Sequence, residues 1–175
     1  LSPSGLSRQE LKDWDRREFA KSLRITPADG GFWAAASGRQ VYAWKVSTIG
    51  EPGRVMTLPE SNSSGVAEIV AGHGGAFVAW NDQRRSHRVG IPGPWELPRS
   101  KHAQIAVCPL RIDRAGPTVL ITPRDHCAYA LVTGSTLQGP SLCWRQQRID
   151  PDDATKFDKN SPPELHEYTL TAPLR

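Results

Sequence analysis

A thiol, an imidazole and a carboxylate held close together can act as nucleophile, general base and the group that orients the base. The sequence offers one such set. Cys108 ends the apolar run Gln104-Ile105-Ala106-Val107, and His126 follows Asp125 between two later apolar segments. If the fold brings these side chains within hydrogen-bond reach, the expectation is a Cys/His hydrolase or deamidase-like enzyme, with Cys108 as nucleophile and His126 as base. Two features weigh against it. Free cysteine is most often a small buried hydrophobe, and Pro109 removes an amide that an oxyanion hole would use.

A second group of residues suits binding rather than catalysis. From Gln83 to Arg114 the bases Arg84, Arg85, Arg88, Arg99, Lys101, Arg111 and Arg114 face only Glu96 and Asp113, and Trp80, His87, Trp95 and His102 are interleaved with them. Arginines for phosphates and aromatics for stacking would serve a single strand of nucleic acid. In a nucleic-acid-binding or cleaving domain, His87 and His102 would be the candidate acid and base. Pro92, Pro94 and Pro98 instead predict an irregular connection, not a flat stacking sheet. Tryptophan and arginine also concentrate binding energy at protein interfaces. The leading expectation is therefore a noncatalytic interaction module that binds a protein partner through Arg84, Arg85, His87, Arg88, Trp95, Lys101 and His102, with the nucleic-acid domain and the Cys/His enzyme as alternatives.

Other chemistries find no motif. There is no G-x-S-x-G, no phosphate-binding G-x-x-x-x-G-K-[ST] and no G-x-G-x-x-G; Gly72-His73-Gly74-Gly75 reads as the entry to a hairpin. Cys108, Cys127 and Cys143 lack the close pairs of a zinc site, and Asp150, Asp152 and Asp153 lack the spacing of a calcium loop. No metal and no cofactor are expected. No apolar run approaches the ~20 residues needed to cross a bilayer, so no membrane insertion is expected. At 175 residues, 38% apolar and 23% charged, with a formal net charge of +4, the chain is of a size and composition to fold as one soluble domain. The sequence assigns no compartment.

The elements that must position these residues are short. Ser7-Arg8-Gln9-Glu10 has the form of a capping box, and Leu11, Trp14, Phe19 and Leu23 recur at loosely helical spacing, which predicts an amphipathic helix from about Arg8 to Ser22. After Pro27 the texture changes to apolar runs broken by Gly, Pro, Asn, Asp and Ser. Gly31 to Ala36 and Gln40 to Val46 read as a hairpin. Further strands are expected at Arg54 to Leu58, Val66 to Ala71, Ala76 to Trp80, Arg88 to Ile91, Gln104 to Leu110, Thr118 to Thr122, Ala128 to Thr133, Leu142 to Ile149 and Glu167 to Thr171. Similar units begin at Gly31, Gly75 and Gly116, at offsets suited to one blade of a β-propeller. The predicted fold is mainly β: a single-domain antiparallel sandwich or barrel of short hairpin strands with one N-terminal amphipathic helix, and propeller-like repeats as the second arrangement. Residues 1–26 form the helix and lead-in, 27–149 the β-rich core, and 150–175 an acidic loop and final strand of the same domain.

Overall fold

The structure, a computed structural model, describes residues 22–38, 40–61, 64–72, 75–82, 103–153 and 156–170. The predicted helix lies outside these residues except at its last position: Ser22 opens a strand, β1 (Ser22–Ala28), that the sequence reading had not anticipated. It is followed by β2 (Gly31–Ser37), β3 (Val41–Ser47), β4 (Met56–Thr57), β5 (Ser64–Gly72), β6 (Gly75–Asp82), β7 (Gln104–Leu110), β8 (Val119–Leu120), β9 (His126–Thr136), β10 (Gly139–Arg148) and β11 (Glu164–Thr169).

The described residues are mainly β, and every strand pair is antiparallel. The strands divide into three sheets whose members are consecutive in sequence: β1-β2-β3-β4, β5-β6-β7-β8 and β9-β10-β11, the last with β10 in the middle. Three meanders in series are the organisation that the repeat pattern implies. The third repeat, however, is not the unit at Gly116. That stretch leads into β8, the last strand of the second sheet, and Pro123 to Asp125 joins the sheets. The glycine that truly corresponds is Gly139, since Gly31, Gly75 and Gly139 each open the second strand of their sheet. The third unit comes late because residues 83–102 are inserted between β6 and β7.

Two cores hold the sheets together, and the strand period explains why the central sequence is so continuously apolar. Successive side chains point to opposite faces. On β6, Ala76, Val78 and Trp80 enter the core shared with Trp33, Ala35, Val41 and Ala43 of the first sheet. Phe77 and Ala79 enter the core shared with Ala128, Leu131, Leu142 and Trp144 of the third. A sheet covered on both faces needs apolar residues at every position. Trp33 and Trp80 are fully buried; each aromatic buries roughly 150–250 Å², about 4–6 kcal/mol of transfer free energy at ~25 cal/mol per Å² before the cost of ordering is subtracted.

In the third sheet the ladder shifts between Cys143 and Arg145, and Ala130 opposite this break has a φ of 53°. The extra residue is a β-bulge. It rotates β9 so that Leu131, three residues after Ala128, also points into the core.

Candidate functional site

The strand directions place the predicted catalytic residues apart. Cys108 lies on β7 in the core between the first and second sheets, with no exposed surface. Its Sγ donates to the Gly116 carbonyl at 3.3 Å. His126 opens β9 of the third sheet, on the far side of the second. Ala128 N of β9 donates to the Ala103 carbonyl, just before β7, at 2.7 Å, and Cys108 is five residues beyond Ala103, roughly 16 Å at the strand rise of about 3.3 Å per residue. The fold thus places Cys108 in the core on one side of the second sheet and His126 on the third sheet, on its other side.

Burial also disfavours the thiolate. Lost solvation of the thiolate pushes the Cys108 thiol from 9.0 to about 11, against smaller opposing contributions from Thr118 and the Gly116 backbone. Cys127 is pushed to about 11 in the same way. Cys143 is only partly covered, and its thiol is raised by burial and then by Glu167. Iodoacetamide at pH 8 is therefore expected to label Cys143 first and to reach Cys108 and Cys127 only as the protein unfolds, which peptide mass spectrometry of a labelling time course would show. A Cys108 that reacts first would restore the nucleophile.

His126 takes part in a different grouping. Its Nδ1 lies 2.9 Å from Asp125 Oδ1, and Arg148 Nε lies 3.5 Å from Asp125 Oδ2. The hydrogen bond from His126, with a smaller contribution from Arg148, holds the Asp125 carboxyl below its ordinary value. This exposed ion-pair group sits where the second sheet hands over to the third. Gln104, at the start of β7, donates from Nε2 to the carbonyls of Thr122 and Pro123 at 3.0 and 2.9 Å and so fixes the same connection. Asn81, near the end of β6, donates to the Ala128 carbonyl at 3.3 Å.

This end of the molecule is also where the basic segment leaves and returns. Asp82 and Gln104 are register partners, so residues 83–102 start and finish side by side on one rigid stem. Arg84, Arg85, His87, Arg88, Trp95, Lys101 and His102, together with the strand expected at Arg88 to Ile91, lie outside the described residues. What the structure fixes is the pair of strand ends, Asp82 and Gln104, that this segment joins.

The opposite end carries a feature that the search for motifs missed. The hairpins β1-β2, β5-β6 and β9-β10 converge there around a cleft of about 430 Å³, lined among others by Asp29, Trp33, Lys45, Gly75, Ile112 and Gly139. Lys45 Nζ donates to the Asp29 carbonyl at 2.7 Å and closes one wall. The described lining supplies an ammonium and a carboxylate but no thiol or imidazole. The legible signal was the recurrence of glycine at the start of each second strand, which brings the backbones close at this end.

No protein-family model matches the sequence, and no curated protein is similar to it. A solved structure similar in backbone is that of a thermostable family-43 glycoside hydrolase, at 9% sequence identity and a TM-score of 0.45, over 86% of this chain. The chain spans 54% of that enzyme's length. Among the described residues no three His, Cys, Asp or Glu side chains gather to hold a metal ion, and no helix is long and apolar enough to cross a membrane.

Proposed function

We propose that this chain is a noncatalytic binding module whose basic segment, residues 83–102, engages an acidic surface on a protein partner. The observation that supports it is the contrast between its hairpins. The β1-β2 and β9-β10 connections need only Asp29-Gly30 and Leu137-Gln138, as antiparallel neighbours ordinarily do. The β6-β7 connection joins strands just as closely paired, yet runs from 83 to 102. Connections far beyond the usual length in a compact domain are commonly functional. This one holds Arg84, Arg85, Arg88, Arg99 and Lys101 against the single acid Glu96. Exposed Arg124 lies beside the stem as well, next to the Asp125–Arg148 ion pair.

Fluorescence anisotropy with a labelled Asp/Glu-rich peptide tests the reading. The wild-type chain is expected to bind with an affinity that falls as salt is raised, and Arg84→Glu, Arg85→Glu and Arg88→Glu combined should weaken it at least tenfold, about 1.4 kcal/mol. No binding, or an unchanged affinity in the triple variant, overturns the proposal. An oligonucleotide of equal charge that binds far more tightly than the peptide transfers the segment to nucleic-acid recognition.

A further inference from the structure

The first sheet carries a cation where its pattern calls for a core residue. Side chains on β3 alternate between faces, and the inward row reads Val41, Ala43 and Lys45. Val41 and Ala43 are wholly buried in the core shared with the second sheet. Lys45 pairs across the ladder with Trp33, which belongs to the same core. Lys45 itself is half-buried and lines the cleft of about 430 Å³ at the hairpin end. A partly covered ammonium gives up water and needs acceptors in exchange. Of its three N–H donors, the Asp29 carbonyl takes one, at 2.7 Å. Among the described residues no carboxylate lies within ion-pair distance of Nζ.

Glycine keeps the space beside that ammonium clear. Gly30, in the turn between β1 and β2, has a φ of 70°, and a Cβ there would find Lys45 Nζ as its nearest contact, 3.9 Å away. The rest of the described lining is mostly apolar: Pro27 and Trp33 come from the first sheet, Ala71 from the second, Ile112 from just beyond β7 and Pro140 from the third. The volume falls in the range of small-molecule sites, roughly 300–1,000 Å³. An occupant that matches this lining has one anionic group for Lys45 and an apolar body. Asp29 lines the same cleft and is exposed. Its negative charge opposes a dianion such as a phosphate monoester more than a monoanion, which favours a carboxylate.

We propose that this cleft binds a small monocarboxylate with an apolar body, its carboxylate held by Lys45. The site is separate from the basic segment, whose strand ends Asp82 and Gln104 lie at the other end of the second sheet. Amide chemical shifts of the full chain, titrated with phenylacetate, test it. Saturable shifts are expected at Ala28, Gly30, Gly72 and Gly139, and far smaller ones at Asp82 and Gln104. Lys45→Met should weaken the affinity about tenfold, the worth of one charge-assisted contact, and Lys45→Arg should keep most of it. Because Lys45→Met also cuts the tie to Asp29, Gly30→Asp supplies a second test. Aspartate is among the few residues that accept a positive φ; it leaves Lys45 in place, and its carboxylate beside Nζ should compete with the ligand and weaken binding to a similar degree. Absence of saturable shifts at the cleft, an affinity indifferent to Lys45→Met or to Gly30→Asp, or equal binding of uncharged phenylethanol overturns the proposal. Phenyl phosphate binding more tightly than phenylacetate overturns it too and assigns the cleft to phosphate esters.

Discussion

Gly31→Ala is expected to destabilise the protein by about 3–5 kcal/mol, a loss at the upper end of what single substitutions do. Two costs fall on one position. The backbone there has a φ of 143°, which side chains other than glycine rarely adopt and which costs roughly 1–3 kcal/mol when forced. A Cβ would also run into the Val46 carbonyl and the Ser47 backbone on β3, and a strand held in register on both sides cannot yield without repacking. The other two repeat glycines separate the causes. Gly75 has no positive φ, but its Cβ would meet the Leu110 carbonyl on β7; Gly139 has a φ of 133° and open space, with the Leu170 carbonyl 3.9 Å away. Urea unfolding of the three alanine variants should therefore rank Gly31 as the most costly, with Gly139 at about 1–3 kcal/mol from strain alone. Equal small losses at all three would show that the sheet ends are loosely paired and that the glycines carry no packing role.

The mainly antiparallel β class was legible because the strand signal is local. In Gln104 to Leu110 and Ala76 to Trp80 the apolar run, its length and the flanking turn residues all lie within one short window. What joins sheets is not local. The insertion of residues 83–102 shifted the third repeat, so the regular offset pointed to Gly116, and the real counterpart, Gly139, could be found only from its place in the sheet. β1 escaped notice because Ser22 to Ala28 is an edge strand with four of its seven residues exposed; its Pro27 read as a helix stop, which an edge strand also tolerates. The separation of Cys108 from His126 was hidden for a related reason. Both residues sit at strand ends in the sequence, but which end and which face depend on strand direction and sheet order, and neither is written in the spacing of two residues.

The second large effect expected is an alkaline loss of stability set by the two core thiols. Burial raises both Cys108 and Cys127 from 9.0 to about 11, so the native state keeps protons that the unfolded chain releases. Since the folded values lie above the unfolded ones, the contribution is fully present below pH 9 and is lost as the pH rises through 11. Two units correspond to roughly 2–3 kcal/mol for each thiol, a large share of the 5–15 kcal/mol typical of a domain. Urea midpoints of the wild type should fall steeply between about pH 9 and 11. Lysines and tyrosines titrate there too, so the decisive quantity is the difference from Cys108→Ala/Cys127→Ala. That variant starts lower at pH 7 because it leaves space in both places, yet its stability should decline less with pH, and the two curves should converge. Parallel curves would mean that the thiols ionise as readily in the native state as in the unfolded one, and Cys108 would then be open to solvent and available as a nucleophile after all.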